Sequence, residues 1–149
     1  MRIEEEISQE KFRNKHHKSA INIIFTFNWL HQKNMKLLKP FGLTIQQFNI
    51  LRILRGQYPN PATIKLLKER MMDKMSDASR LVEKLRKKGL VERNVCSKDR
   101  RNVDVLITKE GLALLKKIDA KEKEFDKILS NLTSDEMDQL NYLLDKMRG

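Results

Sequence analysis

Cysteine is nearly absent from this chain, which has one, Cys96. A single thiol excludes an internal disulfide and any multi-thiolate metal site built within one chain. Histidine is also sparse at three. Two of these, His16 and His17, are sequence neighbours that cannot share a helix face, so no metal site is expected. No apolar run approaches the roughly 18 residues that span a bilayer. The opening "MRIEEEISQE" is acidic where a secretory signal is basic and then apolar. The expectation is a cytoplasmic protein with no membrane segment. There is no glycine-rich phosphate loop and no nucleophile elbow, so neither an enzyme nor a cofactor is expected.

What the chain has in excess is positive charge. Its 149 residues, 40% hydrophobic, suffice for one packed domain and leave little room for two. Against 20 Asp+Glu stand 31 Lys+Arg, a formal charge of +11. Such a balance favours a polyanionic partner. The charge is uneven: residues 64–101 hold 13 basic and 6 acidic groups, whereas residues 102–149 hold 8 and 10. The middle of the chain is therefore the part expected to meet an anion.

Apolar residues recur at helical spacing from Ser19 to Leu38, over much of the circumference, predicting a long helix covered on more than one side. Pro40 and Gly42 break it. Thr44 and Gln47 then form a capping box for a helix with Phe48, Leu51 and Leu54 inward. "GQYPNPAT" reads as a loop. A short helix is expected from Thr63 to Met71, with Ile64, Leu67 and Met71 inward. A second carries Ala78, Leu81, Val82 and Leu85 on one face and stops at Gly89. Two short helices and a tight turn make a helix-turn-helix candidate. Val91 and Val95, then Val103, Val105 and Ile107, alternate with polar residues as two strands of a hairpin. Its connecting stretch from Ser97 to Asn102 has no glycine for a tight turn and reads as a projecting basic tip. Beyond it a heptad-like stripe (Leu112, Leu115, Ile118, Phe125, Leu129) is followed by a second capping box, Thr133 and Glu136, on a helix that should bury Leu140, Leu143, Leu144 and Met147.

Helix, helix, hairpin is the order of a winged helix, in which the second helix enters the major groove and the wing reaches a neighbouring minor groove. The fold expected is mainly α (α+β): a winged helix-turn-helix lobe over about residues 44–108, with helices of about 8–40 and 109–149 forming a dimerisation region, all one domain over 1–149.

At "LVEKLRKKGLVER" followed by "DRRNVDVLITKEG" the sequence resembles the MarR family of bacterial transcription regulators, and "LTIQQFNILRIL" is similar to that family's second helix. The resemblance runs from about Ile21 to Met147. It implies a winged-helix homodimer that binds operator DNA, often released by small phenolic ligands or by oxidation. Double-stranded DNA, a second copy of the chain and a small aromatic effector are the partners implied.

Carried over by position, Ser76, Asp77, Ser79 and Arg80 lie at the N-terminal part of the recognition helix. Hydroxyls there donate or accept, and Arg80 can pair bidentately with guanine. Asp77 departs from the family pattern, which has a small apolar residue; its carboxylate repels phosphate but accepts from cytosine N4. At the wing, Arg101 matches the arginine that the family inserts into the minor groove. Lys98 and Arg100 accompany it, with a plain solvated loop as the alternative. Asp99 is expected to orient a guanidinium, Arg93 or Arg101. Lys84, Lys87 and Lys88 either meet phosphate or form a solvated face. Cys96 is either a small buried hydrophobe or a thiol activated by Arg93 and Lys98. Phe25, Trp29, His31 and Met35 either line a pocket for a flat apolar ligand or are ordinary packing. The expected function is a sequence-specific DNA-binding regulator, most often a repressor in this family, acting on an inverted repeat. The alternative is a nonspecific architectural DNA binder.

Overall fold

The computed structural model describes residues 1–95 and 103–149. Its first long element is α2 (Lys15–Leu38), preceded by one turn of helix, α1 (Ile3–Glu6). α2 begins four residues before the apolar periodicity does. Asn14 caps it by accepting the His17 amide at 2.9 Å, and the polar first turn has no stripe to announce it. Ile3 is buried and Glu4 pairs with Lys18 at 2.5 Å, which ties α1 back to α2.

After a 3₁₀ turn at Lys39–Phe41 comes α3 (Ile45–Gln57). Its capping box is formed as the spacing predicts: the Gln47 amide donates to Thr44 Oγ1 at 3.2 Å, and the Thr44 amide donates to Gln47 Oε1 at 3.1 Å. The buried stripe is Ile50, Leu51 and Leu54. Phe48, expected inward, is only half-buried and stacks on Phe125, centroids 6.3 Å apart.

The expected loop at Gly56–Thr63 needs correction at both ends. α3 continues through Gln57, and Ala62–Thr63 form a strand, β1. β1 pairs antiparallel with β3 (Val103–Ile107), which also pairs antiparallel with β2 (Val91–Val95), giving the order β1-β3-β2. The two hairpin strands stand where the alternation puts them. Between β1 and β2 lie α4 (Ile64–Arg70) and α5 (Ala78–Lys87).

One core joins these elements: Leu51, Leu67, Met71, Val82, Leu85, Val105, Ile107 and Leu115 are essentially inaccessible. Each such side chain contributes about 1.5–3 kcal/mol by leaving water. The turn after α5 is a Schellman stop: Leu90 N donates to Leu85 O, Gly89 N donates to Arg86 O, and Gly89 takes φ 71°.

α6 (Lys109–Asp119) starts on that same turn. Thr108 caps it by accepting the Gly111 amide at 3.1 Å, while its own hydroxyl donates to Gly89 O at 2.8 Å and its amide to Leu90 O. A Cβ on Gly111 would stand 2.4 Å from the Leu90 carbonyl oxygen. The Gly-Leu-Val and Thr-x-x-Gly stretches, 17 and more residues apart in sequence, are two sides of this contact.

The heptad-like stripe does not run through one helix. α6 ends at Asp119, α7 (Glu122–Asp126) and a 3₁₀ turn follow, and α8 (Ser134–Arg148) starts at the Thr133–Glu136 capping box. α8 buries no residue within the chain. Leu144 is half-buried, and Leu140, Leu143 and Met147 are 40%, 52% and 57% exposed, contrary to the burial expected of them.

Candidate nucleic-acid interface

α5 puts its apolar residues on one side and its cations on the other. Ala78, Val82 and Leu85 are buried at i, i+4 and i+7; Arg80, Lys84 and Lys87 repeat the same spacing on the exposed surface. Ser79 and Arg86 flank this basic face and are exposed.

The segment before the helix is held by two aspartates. Asp73 Oδ2 accepts the Ser76 hydroxyl at 2.6 Å and Asp73 Oδ1 the Met75 amide at 3.0 Å. The Ser76 hydrogen bond, then that from the Met75 amide, holds the Asp73 carboxyl below its ordinary value. Asp77 is the N-cap of α5 and accepts the Arg80 amide at 3.1 Å. The helix therefore begins at Ala78. Ser76 and Asp77, expected as base-facing residues of its first turn, lie ahead of it and are engaged locally.

Glu83, which the sequence reading passed over, sits half-buried between α5 and β2. It accepts from Arg86 Nε at 3.0 Å and Nη2 at 2.9 Å, and lies 3.9 Å from Arg93 Nη1. The Arg86 hydrogen bond is the main cause of its lowered carboxyl pKa, with Arg86, Lys87 and Arg93 adding charge. The described partner of Arg93 is thus Glu83. Asp99, expected to orient Arg93 or Arg101, lies outside the described residues, as do Cys96, Lys98, Arg100 and Arg101. The i, i+3 spacing of Glu83 and Arg86 was visible in the sequence; their link to β2 needed the fold.

Further along α5, Lys84, Lys87 and Lys88 border an open groove with Lys39 and Thr44. Lys88 turns its ammonium to the Gly42 carbonyl and to Gln47 Oε1 at 3.4 Å. Lys88 is therefore tied down, while Lys84 and Lys87 keep the helix's outward position.

The four side chains expected at a ligand pocket do not meet. Phe25 and Trp29 face α1, around a small cavity with Ile3. His31 and Met35 border a groove of about 700 Å³ beside Ile45. A more apolar cleft of about 430 Å³ lies between α2 and the helix-turn-helix, lined by Phe27, Leu30, His31, Ile45, Asn49 and Met72 among others. Phe27 and His31, one helical turn apart with ring centroids at 5.7 Å, are the aromatic pair on that side. Sequence periodicity could not select this face because α2 is apolar over much of its circumference. Among the described residues no group of three His, Cys, Asp or Glu side chains is placed to hold a metal ion. No described helix is long and apolar enough to cross a membrane.

Two short helices joined by a fastened turn, the second with a basic outer face, and a three-stranded sheet behind them define a winged helix-turn-helix protein. The MarR family model matches residues 43–103. The chain is similar over 93% of its length, and 99% of the other's, to a mutant E. coli MarR complexed with operator DNA, at 26% identity and TM-score 0.79. It is similar in fold to S. aureus MepR in a DNA complex, at 22% identity, TM-score 0.74, covering 86% and 94% of the two chains. It also has the fold of an organohalide-sensing transcriptional regulator in its 2,4-dichlorophenol-bound form, at 18% identity, TM-score 0.82, covering 94% and 85%. Residues 43–103 thus match the MarR family model, and the fold of the chain is that of solved MarR-like transcription regulators.

Proposed function

We propose that this protein is a homodimeric, sequence-specific repressor that binds an inverted-repeat operator through its paired α5 helices and wings. The observation that carries the reading is the exposed face of α5, with Arg80, Lys84 and Lys87 in one line opposite a fully buried apolar face. Ser79 and Arg80 take the base-reading positions and Lys84 and Lys87 the phosphates. Lys98, Arg100 and Arg101 extend the contact into the minor groove. DNA-bound relatives with this fold support the assignment. On this reading residues 44–108 are the DNA-binding lobe and the flanking helices the dimerisation region. The apolar side chains left bare on α2 and α8, including Ile24, Met35, Leu140, Leu143 and Met147, supply the surface for a second copy. A small aromatic effector would enter between α2 and the lobe, and would release DNA only to the extent that it prefers the non-binding spacing of the two lobes. Such a regulator works in the cytoplasm.

Fluorescence anisotropy on the DNA upstream of the protein's own gene, against a shuffled duplex over a salt series, tests this. The expected result is a preference of roughly a thousandfold or more for the native fragment. Equal, steeply salt-dependent binding to both would favour an architectural DNA binder. No binding to either at low salt would overturn DNA binding altogether.

A further inference from the structure

We infer that Met75 is a specificity-determining residue: its side chain packs against the C5-methyl of a thymine in the major groove, beside the bases met by Ser79 and Arg80. The inference rests on the DNA-binding reading above. Met75 is 93% exposed, the highest value among the large hydrophobic side chains of the described residues. Exposure alone is ordinary. The backbone beneath it is not left free, however. The Met75 amide is fixed by Asp73 Oδ1 at 3.0 Å, the next residue is fixed by its hydroxyl on Asp73 Oδ2 at 2.6 Å, and Asp77 two residues on caps α5. A pinned turn thus holds out a free thioether at the leading end of the helix.

The surroundings select the partner. Arg80, Lys84 and Lys87 run along the exposed face of the helix that begins three residues later, and Lys74 precedes Met75. A small apolar spot beside a row of cations is complementary to a surface that is apolar only locally and anionic around it. In duplex DNA that is a thymine methyl flanked by phosphates. An unbranched side chain with three rotatable bonds can reach and fit such a group. Met72, the other exposed methionine of the turn, has a different setting: its amide donates to Asn49 Oδ1 at 3.0 Å and it lines the cleft under α2.

Binding sites selected from a randomised duplex pool by the wild-type protein and by Met75→Ala, followed by replacement of single dT by dU in the selected site, test the contact. Deoxyuridine removes only the methyl group. For wild type, each dT-to-dU change should weaken binding about fourfold, the worth of burying one methyl-sized group, and one change in each half-site about fifteenfold. Met75→Ala should bind the dT site about as weakly and be indifferent to dU, while Met75→Leu should restore the penalty. An unchanged thermal midpoint for Met75→Ala is expected from its exposure. A Met75→Ala protein that selects the same thymine and keeps the same dU penalty overturns the role of Met75 and leaves DNA recognition standing. A wild-type protein that selects no site overturns both.

Discussion

The Asp77 carboxylate faces its own helix, accepting from the Arg80 amide, and Asn caps a helix about as well as Asp. Asp77→Ala should therefore cost about 1 kcal/mol in urea denaturation, and Asp77→Asn close to nothing. Asp77→Asn also takes a negative charge off the surface proposed to meet phosphate, so its DNA affinity should rise. A loss of preference for cytosine in that variant would instead restore a base contact to Asp77. Gly111 gives the opposite lesson on substitution. In an ordinary helix interior Ala is worth about 1 kcal/mol over Gly. Here the added Cβ would sit 2.4 Å from the Leu90 carbonyl oxygen and 2.7 Å from Ile107 Cγ1, and a backbone oxygen in a closed turn has little room to yield. Gly111→Ala is expected to destabilise by about 1–3 kcal/mol. A midpoint in urea that moves upwards would show that the turn relaxes.

At the scale of elements, α8 starts at a capping box and buries no residue against the rest of the chain. The Glu136 carboxylate accepts from the Thr133 amide at 2.8 Å and the Thr133 hydroxyl at 3.0 Å, which lowers its pKa below the ordinary 4.5. A lowered folded-state value stabilises at pH above the unfolded one and ceases to do so as pH falls through the folded one. The amides of the first turn of α8 should therefore exchange faster as pH drops from about 4.5 downwards, after correction for intrinsic rates. Glu136→Gln keeps the reciprocal bond without the titration and should flatten that profile. On the face of the same helix, Leu143→Glu should convert a dimer to monomers in analytical ultracentrifugation; an unchanged sedimentation coefficient would remove α8 from the interface. The capping boxes at Thr44 and Thr133 were legible because donor and acceptor lie three residues apart. β1 was not, since two residues become a strand only by pairing with Val105 and Asp104, far along the chain. The cap role of Asp77 was not legible because its side chain has two uses, cap and base contact, and one sequence does not rank them. The break of the last stripe into α6, α7 and a 3₁₀ turn was hidden by periodicity that survives across the turns.

For the molecule as a whole, the hydrophobic core lies within one chain, whereas α8 buries nothing there. Stability should then depend on assembly: the thermal midpoint should rise with protein concentration, as mass action requires when the folded form is the associated one. A midpoint constant over a hundredfold range of concentration would mean that the chain stands alone. The bare face of α8 has a consequence for the cell as well as for the fold. On the dimeric-repressor reading proposed above, a chain completed only by its twin would read its own abundance. When copies are few, the chains would part, lose the support of their shared helices and fall to proteolysis; when copies are many, pairs would form and persist. Repression would then switch on over a narrow range of expression, with the threshold set by how tightly Leu140, Leu143 and Met147 are covered.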